Sequence, residues 1–199
     1  MKKVFSAVLI LIGILTFSAC NSESKVILSN TTKSIPELLL LVIDNEESFI
    51  TESNTETMLK NYKMPNIDDY NFIPLQYTYV DLDSDGTDEL ILSESKQNFY
   101  LVLHFNKENK KIYGYSLNVR SFINVKTNGT FMQSSGADIN SINKISFNNT
   151  KLIINEIAVK NDLENIFKIN NQSVTKENAD RYFTEWQTNE NSVWISIDF

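Results

Sequence analysis

From Phe72 onward, short runs of β-branched, aromatic and aliphatic residues alternate with clusters of Asn, Asp, Gly and Lys such as Asn106-Lys-Glu-Asn109 and Asn128-Gly129. Such punctuation marks strands joined by tight connections. It predicts strands over 73–80, 89–93, 99–105, 111–117, 121–125, 143–147 and 152–159, with a closing strand over 192–199. Two stretches follow helical spacing instead. Ser34-Ile-Pro-Glu37 has capping-box spacing with Pro in the first turn, and Leu38 to Ile43 supply an apolar body, so a short helix is expected over about 35–45. Ala179, Tyr182, Phe183 and Trp186 share one helical face behind a Thr175 cap, which predicts a helix from 176 to 187. The polar stretch 46–69 suggests only a short strand at 48–51 and a helical turn at 56–62. The fold class read from this pattern is α+β, an antiparallel β-rich meander with a short N-terminal helix and a C-terminal helix.

One connection stands apart chemically. Tyr79-Val-Asp-Leu-Asp-Ser-Asp-Gly-Thr-Asp-Glu-Leu-Ile-Leu92 places carboxylates at every second position and then a glycine. Asp81, Asp83 and Asp85 stand one, three and five residues into the loop, Gly86 allows the sharp bend, the Thr87 carbonyl follows, and Glu89 closes the shell from the far side. Such a set of hard oxygen donors suits Ca2+. Asp88 is expected to point away. An EF-hand needs a bidentate Glu at the twelfth loop position and flanking helices. Here the twelfth position is Leu92 and both flanks read as strands, so the loop is a strand-to-strand connection with a structural calcium. A solvated Asp-rich turn is the plainer alternative, weighed against four carboxylates that repel one another without a cation.

The first nineteen residues carry Lys2 and Lys3, then an apolar run from Val4 to Phe17, in the order of an export signal. Phe17-Ser18-Ala19-Cys20 resembles the lipobox of bacterial lipoproteins, which implies a lipidated Cys20 as the first mature residue. The domain reading is a lipoprotein signal peptide at 1–19, a flexible polar tether at 20–33 and a single β-rich domain at 34–199. Cys20 is the chain's one cysteine, so no disulfide supports the fold. Of the 199 residues, 18 are Lys or Arg and 25 Asp or Glu. Without Lys2 and Lys3 the balance is 16 against 25, a net charge of −9, which argues against nucleic acid or anionic lipid as a partner. A lipid anchor on Cys20 needs no basic face.

Three segments together resemble a group of largely uncharacterised lipoproteins and secreted proteins from Gram-positive bacteria. They are the loop 79–92, then Phe99-Tyr-Leu-Val-Leu-His-Phe105 with Ile112-Tyr-Gly-Tyr115, then the turn Asn128-Gly-Thr-Phe-Met-Gln-Ser-Ser-Gly-Ala137. The loop alone is similar to the calcium loops of FG-GAP and VCBS-type repeats, although a single copy does not support a propeller. The resemblance covers roughly half of the mature chain and implies a calcium-binding β-rich module, with no reaction attached to it.

His104 is the single histidine, which excludes multi-histidine zinc or copper sites. A hydrolase triad would have to combine His104 with Ser134 or Ser135, yet Gln133-Ser-Ser-Gly136 lacks the leading glycine of a nucleophile elbow. Tyr77, Tyr79, Phe99, Tyr100, Tyr113 and Tyr115 recur at period two, as a core or as the lining of a ligand groove. The reading that emerges is a lipid-anchored module on the extracytoplasmic face of the cell membrane, with one structural calcium loop and an unknown protein or glycan partner. A metal-assisted hydrolase and an inhibitor or immunity-type lipoprotein for a basic partner are the alternatives.

Overall fold

The computed structural model describes residues 34–65, 67, 70–94 and 99–198. The expected export signal at 1–19, the expected tether at 20–33 and Cys20 lie outside the described residues. The domain is α+β, with two sheets that are antiparallel save for one pair and two helices on their outer faces.

Helix α1 (Ile35–Ile43) begins at a complete capping box: Ser34 N–H donates to Glu37 Oε2 (2.7 Å), and the Ser34 hydroxyl receives the Glu37 N–H. Two short strands follow, β1 (Phe49–Thr51) and β2 (Glu56–Thr57). The main hairpins are β3 (Pro74–Val80), β4 (Glu89–Glu94), β5 (Phe99–Asn106) and β6 (Lys111–Asn118). Then come β7 (Thr130–Gly136), β8 (Ile139–Asn148), β9 (Lys151–Asn161), β10 (Ile166–Ile169), β11 (Gln172–Ser173), helix α2 (Lys176–Gln187) and β12 (Ile195–Ser196). The first sheet runs β12-β3-β4-β5-β6-β1-β2 and the second β11-β10-β9-β8-β7.

Alternation along the strands makes the first sheet two-faced. Leu90, Leu92, Leu101, Leu103 and Ile112 pack under Leu39 and Val42 of α1. Val80, Ile91, Val102, Tyr113 and Tyr115 point the other way and meet Phe131 and Ile145 of the second sheet. Ile142 and Ala158, on the far face of the second sheet, take Phe183 and Trp186 of α2. The order of layers is therefore helix, sheet, sheet, helix. Most of the period-two aromatics are core: Tyr77, Tyr79 and Phe99 pack on the α1 side, and Tyr113 and Tyr115 between the sheets.

Several expectations change. Residues 121–125 form no strand, because Asn118 caps a 3-10 turn at Val119–Ser121 and the chain then crosses between sheets, leaving one bridge from Ile123 to Met132. The turn read at 128–137 is largely strand β7. The turn expected at 56–62 divides into β2 and a 3-10 turn at Leu59–Asn61. The closing strand shrinks to β12, since residues before it run beside Val125 and Lys126. Lys126 is buried, and its Nζ donates to Gln187 O (3.1 Å), Asn189 O (3.0 Å) and Asn191 Oδ1 (2.7 Å) while lying 4.8 Å from the Trp186 ring. A cation at the end of α2 also complements its dipole.

The meander has one exception, because β1 pairs in parallel with β6. Gly114 permits it: a Cβ there would lie 2.4 Å from Phe49 Cδ2. Gly114→Ala should therefore lower stability by about 1–3 kcal/mol through overpacking. Phe49→Leu in the same chain should return part of that loss, measured by denaturant titration; equal losses in the single and double variants would show that the contact is unimportant.

Candidate metal centre

The Asp-rich segment is the connection from β3 to β4, and its alternation continues that of the strand before it. Leu82 is fully buried and belongs to the core between the sheets, so Asp81 and Asp83 on either side of it are turned toward the loop's interior and mouth. The turn is closed by its own side chains. Asp81 accepts the N–H groups of Asp85 (3.1 Å) and Gly86 (3.1 Å), Asp83 accepts that of Asp85 (3.0 Å), and Asp85 accepts that of Thr87 (2.7 Å). Two residues adopt left-handed backbone, Ser84 at φ 64° and Gly86 at φ 83°, which short polar residues and glycine tolerate best.

Oxygens of Asp81, Asp83 and Glu89 lie within 4.8 Å of one another. Glu89, the first residue of β4, is 1% exposed. It receives the Leu82 N–H on Oε2 (2.8 Å), and His104 Nδ1 lies 3.0 Å from its Oε1. The imidazole in turn stacks on Phe147 of the second sheet, centroids 3.9 Å apart. Asp85 is the expected side-chain ligand that the cluster leaves out, while Asp88 points away as expected. Asp85 turns its Oδ2 to Lys107 Nζ (2.7 Å) and stands outside the triad; Thr87 meets it through its N–H. Asp88 is exposed and apart from the cluster.

Comparison with protein families, curated proteins and solved structures gives no match.

The electrostatics separate the carboxylates. Burial pushes Glu89 above its ordinary value despite the bonds from His104 and Leu82. Burial also raises Asp83; the Asp85 N–H opposes this, while the neighbouring Asp85 and Asp81 charges add to it. Asp85 is partly desolvated too, but Lys107 and Thr87 outweigh that and hold it low. Both shifts come first from burial, so a cation bound here would offset the cost of two desolvated carboxylates and would compete with protons for them. The donor set fits a hard cation, being all oxygen, and each carboxylate offers about four lone-pair sites, so a backbone N–H bond and a metal contact are compatible on one group.

The surroundings supply residues that local spacing could not indicate. Gly129 has φ +77°, and a Cβ on it would lie 2.5 Å from the Asp81 carbonyl oxygen. Lys144 of β8 donates to Ser84 Oγ. The Asp loop, the His104 strand and the Asn128-Gly129 turn, separate in sequence, thus converge on one place. Ser134 does not: its Oγ donates to Gly136 O (2.8 Å), and no hydrogen bond joins it to His104.

A carboxyl whose folded pKa is raised contributes stability below its unfolded value and loses it as pH rises through the folded one. For Glu89 that window starts at the ordinary 4.5 and extends upward. In chelator at neutral pH, Glu89→Gln should melt no lower than wild type, because His104 can switch tautomer to accept from the amide. Its advantage should vanish on acidification through that window. A variant that melts far below wild type at neutral pH would contradict the strain assigned to Glu89.

Proposed function

We propose that this chain is a lipid-anchored extracytoplasmic binding module whose 81–89 loop holds a structural Ca2+. The observation that carries the metal reading is the convergence of Asp81, Asp83 and Glu89 within 4.8 Å at the junction of the two sheets. Asp81 and Asp83 come from the turn and Glu89 from the strand beyond it, so one cation would tie the hairpin's two limbs together. Asp85 and the Thr87 carbonyl complete the proposed shell once Lys107 releases Asp85 to the metal. The role proposed for the ion is structural, because His104 and Lys107 already hold Glu89 and Asp85 and the Ser134 hydroxyl is bonded to Gly136 O instead. The anchoring reading rests on the Lys2-Lys3, apolar, Ser-Ala-Cys20 order, and the net acidity favours neutral or basic partners over nucleic acid.

Two measurements test this. A ligand that binds only the folded state stabilises it by mass action, about 2.7 kcal/mol at a free concentration a hundred times Kd. Calcium should therefore raise the melting temperature of the chain from residue 21 onward, and magnesium much less, because flexible carboxylates suit the larger ion. Asp81→Asn and Asp83→Asn should each remove most of the gain and Asp88→Asn almost none; identical melts in calcium and in chelator would leave only a solvated turn. For the anchor, a labelled fatty acid fed to expressing cells should mark wild type and not Cys20→Ser, and equal label in both would sink the lipoprotein reading.

A further inference from the structure

A second polar site lies on the same face of the first sheet as Glu89, at the opposite end of the strands. Gln76, Ser93 and Tyr100 are direct cross-strand neighbours on β3, β4 and β5. Asn124, Ser192 and Trp194 complete the walls of a cavity of about 370 Å3 over this row, within the ~300–1,000 Å3 usual for small-molecule sites. The geometry points to this cavity as a binding site for a neutral saccharide.

Four observations carry the assignment. First, the lining is uncharged, made of amides, hydroxyls, two aromatic rings and Val125, in a chain where 22% of residues are charged. No charged side chain lines the site to pair with an ionic ligand, and the acidic balance of the chain disfavours anions. Second, the polar groups other than Asn191 make no side-chain hydrogen bonds among the described residues. Ser192 is more than nine-tenths buried and its Oγ has no partner, and among the described residues no side-chain hydrogen bond engages Gln76, Ser93 or Asn124. A ligand hydroxyl entering the cavity would pair with the Gln76 and Asn124 amides, whereas the Ser192 Oγ is itself sealed from solvent. Third, amides and hydroxyls both donate and accept, as sugar hydroxyls do. Fourth, Trp194 and Tyr100 meet at 5.9 Å with a 41° tilt, and Phe122 braces Tyr100 edge-on at 5.4 Å. Rigid rings beside amides present an apolar face to the C–H side of a pyranose and polar groups to its rim. The wall is held firmly as well, since Asn191 is bound by Lys126 Nζ and the Ser192 N–H donates to Val125 O.

This inference names the ligand class of the binding module proposed above, but the cavity does not involve the 81–89 loop. The test is a titration of the chain from residue 21 onward with maltotriose, cellotriose and the trimer of N-acetylglucosamine, followed by tryptophan fluorescence and calorimetry. The trimer of galacturonate is the charged control, and each arm is repeated in calcium and in chelator. At least one neutral trimer should bind, and the charged one should not. Trp194→Ala should weaken binding by about tenfold or more. Gln76→Leu replaces the amide by a branched aliphatic end of similar size, and Asn124→Gly preserves the left-handed backbone (φ 51°) while removing the amide; both should lose affinity at unchanged melting temperature. Absence of binding by every neutral trimer, equal binding of the charged control, or affinity unchanged in all three variants would overturn the assignment. A calcium-independent melt combined with saccharide binding would remove the metal reading alone, and the reverse result would remove the saccharide alone.

Discussion

The centre of the molecule's chemistry is a carboxylate placed where an apolar seam begins. Glu89 is the first residue of β4 and its parity points it between the two sheets, beside Val80 and His104 rather than toward water. Desolvation of an ionised carboxylate is expensive, so everything around it is arranged as compensation: the Leu82 N–H, the His104 ring, and the turn whose aspartates are folded back on their own backbone. The same parity creates the other polar site. At the far end of those strands the inward positions are Gln76, Ser93 and Tyr100, where the second sheet no longer covers them and the 191–194 segment does.

Elements set by local signals alone are legible in the sequence. Helix α2 matches its expected limits because the Thr175 cap and the Ala179, Phe183, Trp186 stripe are both local signals. The β3–β4, β4–β5 and β5–β6 hairpins follow from alternation and turn residues alone. The division into two sheets was not legible, since strands of either sheet carry the same pattern and only the 3-10 turn after β6 diverts the chain from one to the other. Strand β7 was hidden by Gly129, Ser134, Ser135 and Gly136, which resemble turn residues, yet its backbone pairs with β8 from Thr130 to Gly136. The parallel β1–β6 pair depends on the absence of a side chain at Gly114 opposite Phe49, sixty-five positions apart in the chain.

The site shows the same boundary. Spacing of two places Asp81 and Asp83 together, and strand geometry adds Glu89. Asp85 was expected in the same shell, but Lys107 in the β5–β6 hairpin competes for its free oxygen, and no local pattern reveals a cation twenty-two residues away. Gly129 against the Asp81 carbonyl and Phe147 on the His104 ring are likewise products of sheet packing. The cavity beside Trp194 had one trace in the sequence, the aromatic Tyr100 among the period-two set. Its other walls come from four separate segments, at Gln76, Ser93, Asn124–Val125 and 191–194.

The contact between His104 and Phe147 gives the protein an internal observer. The chain has a single imidazole, one edge of which meets Glu89 while its face lies against the second sheet. Its ring protons sit in the shielding cone of the phenyl group, so their proton magnetic resonance lines should be displaced upfield and, being unique, need no assignment by mutagenesis. A cation drawing Glu89 toward itself, or a slip of one sheet over the other, would move the same two lines. Loop occupancy and the registry of the sandwich are thus both legible from one side chain.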